Sequence, residues 1–393
     1  MSKTTFIGAA VGLSKFIGPA RLQAHRSCQA PNVEIRFCVP GQEKNFDANK
    51  VAALAMGFHD NCIFPTIGAM LEAKGNEIDF GVVNTPNHDH LPKCQAFAEA
   101  DIPTICDKPL ADNLSHAQTI YHAFDQKDLV NAITPTYCFM GANIEARHRV
   151  ALAGKGSKVR GGVYLYPQHW LDQPVESIGP DAGGDQADWR KNPMLSGEAG
   201  ALGDIWTHLA FLLWSHTGLK VKTILAERRW VVTGRRHDET DDEAFARVIL
   251  ENGARITVQA AQYAGANDNN LSWQLWLEDG ERLSWSVEES EILWHCPAKS
   301  RILQKVTPSG YESPIISATN SMPGMHDGDG WAKAEQRILQ SFLAQAFGVP
   351  AGLKPFHLTF KDGLNIQAMV HAAIASATHD EFGMKPTPVA WTD

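Results

Sequence analysis

The 393-residue sequence has no Cys-x-x-Cys pair, no long apolar run and no basic cluster, and each absence removes a class of protein. No window holds about eighteen consecutive apolar residues, which excludes a membrane-spanning helix. A net charge of −9 without basic patches argues against a nucleic-acid or anionic-membrane surface. The opening "MSKTTFIG" lacks a basic segment followed by a long apolar one, so no secretory signal is expected. The seven cysteines (Cys28, Cys38, Cys62, Cys94, Cys106, Cys138 and Cys296) are scattered and odd in number. That pattern fits reduced thiols in a cytoplasmic protein better than a disulfide framework or a zinc site. Tryptophan is missing from the first 169 residues, with all eleven at or beyond Trp170. An aromatic-lined sheet face or subunit interface explains this better than eleven ligand contacts. Gly-x-Gly-x-x-Gly is also missing, although residues 4–18, "TTFIGAAVGLSKFIG", stand where a dinucleotide-binding turn would carry it.

What is present is an ordinary globular composition, 44% hydrophobic and 20% charged, in a chain long enough for two domains. Up to about residue 155, strand-like and helix-like segments alternate, as in a parallel α/β sheet. "VEIRFCV" (33–39), "IDFGVVN" (78–84), "IPTIC" (102–106) and "LVNAIT" (129–134) read as strands. Gly57 suits the residue after a helix, and Pro65 can open the next one. Past "GKGS" (154–157) the texture changes to long strand-like runs joined by turns such as "ENGA" and "EDGE". Helical stretches near 330–347 and 362–379 close the chain. The expected fold is α/β: a Rossmann domain over 1–157, then an α+β domain over 158–393 with a large, mostly antiparallel open sheet.

Two segments carry candidate chemistry. Thr85, Pro86 and Asn87 follow one predicted strand, and "CDKPL" puts Lys108 at the carboxyl edge of the next, where ligands of such sheets lie. Pro109 restricts the backbone there, and an X-Pro bond tolerates the cis form. The plainer reading of Lys108 is a surface lysine in a loop. In "SGEAGALGDIWTHLAFLLW" (196–214), Gly197, Gly200 and Gly203 allow close backbone approach. Asp204 and His208 share one face if the segment is helical. Asp204 could instead cap the helix and His208 could be a core histidine. Two metal ligands are conceivable, but nothing places a third, so no metal is expected.

"NTPNHDHLPKCQAFAEADIPTICDKPL" followed by "GALGDIWTHLAFLL" resembles the Gfo/Idh/MocA family of sugar oxidoreductases. "YLYPQHWL" (164–171) and "ADWRKNP" (187–193) are similar to its levoglucosan-dehydrogenase-like branch. The resemblance implies that Lys108 polarises or helps deprotonate the reacting hydroxyl, that His208 accepts or donates the proton, and that Asp204 holds substrate hydroxyls. It implies cofactor contacts from Gly8, Gly12, Phe16, Ile17, Thr85, Pro86, Asn87, His90, Asp107, Lys108, Trp189 and Arg190. Tyr137, Gln168, His169 and Trp170 would line the sugar pocket with Lys108, Asp204 and His208. Asp107 replaces the family's commoner glutamate, one methylene shorter. On this reading residues 4–18 form a lengthened first turn: Gly8 ends the strand, Gly12 lies in the loop, Gly18 precedes the helix and Pro19 sits in its first turn. Ala10 would then put a Cβ where the backbone should approach the cofactor phosphates.

The resemblance implies an NAD- or NADP-dependent enzyme moving hydride between the nicotinamide and a hydroxyl of a sugar, sugar derivative or polyol. A lysine ammonium would stabilise developing alkoxide charge, and histidine would relay the proton. No acid stands at the end of the second strand, where NAD-selective folds place one, and Lys44 could receive a 2′-phosphate. A homo-oligomer, dimer or tetramer, is implied. The rival readings are an enzyme using bound NAD for oxidation-assisted glycoside cleavage or elimination, and a non-catalytic cofactor-binding regulator.

Overall fold

The computed structural model describes residues 5–13, 17–28, 32–169, 171–172, 189–232, 240–265, 269–307, 330–349, 356–377 and 385–392. Strands β1 (Thr5–Val11), β2 (Asn32–Val39), β3 (Phe80–Val83), β4 (Thr104–Cys106) and β5 (Asn131–Ile133) form a parallel sheet in the order β2-β1-β3-β4-β5. Helices α1 (Ile17–Arg26), α2 (Phe46–Ala55), α3 (Ile67–Lys74), α4 (His90–Glu99) and α5 (Leu114–Asp125) join them. This is the expected Rossmann-type sheet. Gly57 follows α2 with φ +86°, as its position suggested. The helix expected at Pro65 starts at Ile67 instead, because Thr66 caps it by accepting a hydrogen bond from Ala69 N at 3.2 Å.

The first turn departs from expectation. β1 does not end at Gly8 but runs on through Ala9, Ala10 and Val11, which pair with β2 on one side and Gly81–Val83 on the other. Small apolar residues suit this central position, buried on both faces. Ala10 is therefore inside the strand, and its Cβ does not intrude on the turn. Gly8 sits mid-strand, where an added Cβ would lie 2.6 Å from the Phe80 ring and 2.7 Å from Ile35. The turn itself uses Gly12, at φ +83°, and Gly18. Gly18 lies inside α1 rather than before it, and a Cβ there would meet the Gly12 carbonyl oxygen at 2.2 Å. The helix entry folds back over the loop, and only glycine fits.

After α6 (Gly141–Arg147), β6 (Val159–Pro167) enters a second sheet of nine strands. Its other strands are β7 (Val221–Arg229), β8 (Glu243–Leu250), β9 (Arg255–Ala261), β10 (Ser272–Leu277), β11 (Arg282–Ser286), β12 (Leu293–Cys296), β13 (Gln304–Val306) and β14 (Thr387–Pro388). Their order is β13-β12-β11-β10-β6-β9-β8-β7-β14, antiparallel except for the β6–β9 pair. Helix α7 (Trp206–Thr217), apolar almost all round, packs against β6 and β9 and is nearly wholly buried. Tryptophans 206, 273 and 285 are core residues, so part of the tryptophan bias serves packing.

Two later helices, α8 (Trp331–Phe347) and α9 (Phe360–Ala377), return to the first sheet. Phe347 stacks on Phe6 at 4.8 Å and Phe342 meets Phe80 at 5.9 Å, while α9 packs against both α5 and β7. The fully buried rings of Phe6, Phe80 and Phe342 each contribute about 1.5–3 kcal/mol, and the half-buried Phe347 less. The two sheets are thus joined by packed side chains as well as by repeated crossings of the chain, into β6, back to α8 and out again to β14.

Candidate active site

The parallel sheet presents its carboxyl edge to the second sheet, and the candidate residues collect there. β4 ends at Cys106, and Lys108 projects from the loop just beyond, its bond to Pro109 cis. The Lys108 ammonium donates to Asp204 Oδ1 at 2.8 Å and to the Asp204 carbonyl oxygen at 3.1 Å. Asp204 does not cap α7, as one reading allowed, because its carboxylate is committed elsewhere. Besides Lys108, Oδ2 accepts from Arg190 Nε at 3.2 Å and Gln262 Nε2 at 3.3 Å. Burial would raise this carboxyl, but Lys108 and Arg190 outweigh it and hold it well below the usual carboxylate range.

His208 lies on the first turn of α7, its ring edge-on to Tyr137 at 5.0 Å and to Tyr166 at 5.9 Å. Its Nδ1 is buried and finds no partner among the described residues. Burial, reinforced by the Lys108 charge, depresses its pKa well below the ordinary value, so the ring is neutral near pH 7. Behind it the Tyr137 and Tyr166 hydroxyls meet at 2.7 Å, and Tyr166 donates to Asn269 Oδ1 at 2.9 Å. Gln168 Nε2 reaches the same Asn269 oxygen at 2.5 Å. Tyr137 and Gln168 therefore share one polar wall with His208. Trp189 adjoins through the Arg190 guanidinium, stacked 4.4 Å over its ring. His169 follows Gln168 in the chain, while Phe16 and Trp170 lie outside the described residues.

The expected cofactor residues divide into two groups. Thr85, at the carboxyl end of β3, keeps its hydroxyl buried and unpartnered among the described residues. Asn87 spans the cleft, donating from Nδ2 to the Ser196 carbonyl at 2.9 Å. His90 is fully buried beneath the loops rather than on the cleft surface: Nε2 faces the Thr85 carbonyl at 2.8 Å and Nδ1 the Pro109 carbonyl at 3.0 Å. Burial would lower its pKa, but Cys106, Asp107 and the Thr85 carbonyl raise it to about 9. Asp107 accepts through Oδ1 from Arg21 Nη2 at 3.0 Å and from Thr134 Oγ1 at 2.7 Å. Gly12 sits against Asn84 and Thr85, and Ile17 begins α1. The free hydroxyl of Thr85 and the open Nδ1 of His208 fit a polar ligand along this edge, as a nicotinamide cofactor with its substrate would be.

Four contributors escaped the sequence reading: Arg21, Tyr166, Asp241 and Gln262. Tyr166 was legible, since Tyr164, Tyr166 and Gln168 alternate along one strand face. Asp241 anchors the glycine loop: fully buried, it accepts from Gly200 N at 2.9 Å, Leu202 N at 3.0 Å and Arg228 Nε at 3.0 Å. Among the described residues no His/Cys/Asp/Glu group could hold a metal ion. All seven cysteines are free, and no described helix is long and apolar enough to cross a membrane.

Comparison with known proteins bears on this geometry. Residues 9–134 match the model of the oxidoreductase family's NAD-binding Rossmann fold, and residues 159–281 match the GFO/IDH/MocA C-terminal domain. The chain belongs to the Gfo/Idh/MocA family. Levoglucosan dehydrogenase of Pseudarthrobacter phenanthrenivorans is 26% identical over 325 residues, 76% of this chain and 78% of that protein. An inositol dehydrogenase homologue from Azotobacter vinelandii, solved with NAD+, superposes with a TM-score of 0.80 at 20% identity, covering 97% of this chain and 96% of the other. Levoglucosan dehydrogenase solved with NADH and levoglucosan gives a TM-score of 0.79 at 20% identity, covering 98% and 99%. The Gfo/Idh/MocA fold thus extends over both sheets.

Proposed function

We propose that this Gfo/Idh/MocA oxidoreductase oxidises or reduces a hydroxyl of a sugar, sugar derivative or polyol, using NAD or NADP. The observation that carries this is the Lys108–Asp204 contact beside a neutral His208, at the edge of an NAD-binding Rossmann fold. The nicotinamide supplies hydride acceptance or donation when bound. Lys108, with two contacts fixed on Asp204, keeps a third N–H to hold the substrate oxygen and stabilise its developing negative charge. Neutral His208 takes the hydroxyl proton in oxidation and returns it in reduction. Asp204 stays ionised throughout, so it orients Lys108 and accepts hydrogen bonds without exchanging protons. Tyr137, Gln168 and His169 form the sugar-facing wall, and Trp189 with Arg190 closes the cofactor side.

The relatives named for levoglucosan and inositol dehydrogenases support a polyhydroxylated substrate. β2 ends without an acid at its edge: Val39 and Pro40 use their carbonyls to hold Gly12 N at 2.9 Å and Leu13 N at 2.8 Å. Exposed Lys44 follows in the turn after β2, next to the equally exposed Glu43, so the choice between NAD and NADP is left to the assay. The proposal includes the division into a dinucleotide-binding unit (1–157) and a substrate-binding unit (158–393), with assembly through the open sheet face that exposes Trp276. Purified protein is to be assayed with NAD+ and NADP+ across a panel of sugars and polyols, following formation of the reduced nicotinamide. Reduction with at least one substrate supports the reading. Binding of the cofactor without turnover on any polyol contradicts it.

A further inference from the structure

We propose that Arg21 is a positioning residue for this site, one buried guanidinium that sets the three strand ends from which Thr85, Lys108 and Tyr137 follow. The inference rests on the functional reading above for the importance of Lys108, and on geometry alone for the rest.

Arg21 lies on α1, far in sequence from Thr85, Lys108 and Tyr137, and is 1% exposed. All three of its nitrogens are engaged. Nη1 donates to Asn84 Oδ1 at 2.6 Å, and Nη2 to Asp107 Oδ1 at 3.0 Å and Thr134 Oγ1 at 2.9 Å. Nε and Nη2 also grip the Glu335 carboxylate of α8, at 2.7 and 3.0 Å. Asn84 immediately precedes Thr85 at the end of β3, and Asp107 immediately precedes Lys108 at the end of β4. Thr134 closes β5, three residues before Tyr137. A single rigid fork therefore fixes three neighbouring edges of the sheet, each one to three residues before a site residue.

Such a buried charge cluster is weak evidence for stability, because desolvation cancels much of the attraction. Its distinctive property is shape: five donors in one plane, which lysine cannot reproduce. The cluster also explains why aspartate serves at position 107. Its carboxylate turns inward to Arg21 and the Thr134 hydroxyl, so it acts through the direction it gives the Lys108 backbone. The two acidic partners then have separable duties. Glu335 ties α8 to α1 and, accepting from Thr136 Oγ1 at 2.7 Å, to the turn that carries Tyr137, whereas Asp107 orients the lysine. Removing either one leaves Arg21 paired with the other, so each variant keeps a balanced buried pair.

The test compares Arg21→Lys, Asp107→Asn and Glu335→Gln in the full-length protein. Measured for each are kcat, KM for cofactor and substrate, thermal midpoint, and the NMR signal of ε-13C-labelled lysine, with Lys108→Arg identifying the Lys108 resonance. Expected is a kcat loss of roughly ten- to hundredfold in Arg21→Lys and Asp107→Asn, the usual effect of misplacing a reacting group by an ångström. Cofactor KM should stay within about threefold, and the Lys108 resonance should shift in both. Glu335→Gln should lower the midpoint while kcat stays within about threefold and the resonance stays put. Activity losses that simply follow the midpoints, with an unmoved Lys108 signal, would overturn the inference. So would an effect of Asp107→Asn confined to cofactor KM, which would mark Asp107 as a direct cofactor contact. If the unmodified protein turns over no polyol, the functional reading fails, while the Lys108 resonance still decides the role of Arg21.

Discussion

Lys108 Nζ and Asp204 Oδ1 lie 2.8 Å apart although 96 positions separate them in the chain. One belongs to the loop after β4 and the other to the turn before α7, so the contact joins the two sheets where the reaction is placed. Replacing Lys108 by Met should lower kcat at least about a hundredfold, the usual contribution of an acid–base or charge-stabilising group. Asp204→Asn should lower it as well, since Lys108 and Arg190 lose their common anion. Circular dichroism should report a retained fold for both. Near-normal turnover in the lysine variant would contradict the assignment.

Stability should peak near neutral pH and fall on both sides. His25 and His216 are held neutral, each at about 3, and His208 is likewise depressed, chiefly by burial. The unfolded chain takes up those protons near pH 6.5, so stability falls as the pH drops below that value. Asp107 and Asp204, also depressed, add to the loss only in stronger acid, below their unfolded values. His90 has the opposite sign: held charged up to about 9, it contributes stability below pH 6.5 that is lost as pH rises toward 9. Each fully shifted group changes stability by up to about 1.4 kcal/mol per pH unit. Urea midpoints at acid, neutral and alkaline pH check this. His90→Asn should flatten the alkaline limb and His216→Asn should soften the acid one; unchanged limbs in both would refute the attribution.

The glycine loop should tolerate no side chain at position 200. An added Cβ would stand 2.0 Å from the Asp241 carbonyl oxygen, and the same residue's carboxylate holds Gly200 N and Leu202 N. Gly200→Ala should shift the loop that leads to Asp204, with a loss of several degrees in thermal midpoint and a kcat reduced about tenfold or more. Asp241→Asn, whose amide Nδ2 cannot accept from one of those N–H groups, should show the same direction. A Gly200→Ala protein with unaltered midpoint and kcat would rule out this role.

Tyr166 should affect substrate fit more than chemistry. Its hydroxyl links Tyr137 to Asn269 behind His208. Tyr166→Phe keeps the ring and removes the link, so substrate KM should rise several-fold with kcat within about threefold. A collapse of kcat at unchanged KM would place the Tyr166 hydroxyl in the proton path instead.

The parts of this molecule that were legible from sequence are those encoded locally. Strand–helix alternation gave the parallel sheet, and the glycine turns at 253 and 280 gave the hairpins β8–β9 and β10–β11. Lys108 and Asp204 were marked by short patterns, and the structure brings them together. The first turn was misread because Ala9, Ala10 and Val11 look like loop filler in sequence, yet their smallness is what a central buried strand requires. Arg21 and Asp241 were invisible for another reason. Each acts on residues distant in the chain, Arg21 through side chains at three strand ends and Asp241 through backbone N–H groups. No periodicity or spacing records such contacts.

The central claim is that Lys108 and His208 perform hydroxyl oxidation at an NAD-type cofactor. Its most direct test is reduction of NAD+ and NADP+ by the purified protein over a panel of sugars and polyols, repeated with Lys108→Met and His208→Ala. The account requires reduced nicotinamide to form with at least one polyol and each substitution to cut kcat at least about a hundredfold. Turnover that survives both substitutions, or a cofactor-loaded protein inert toward every polyol, would contradict it.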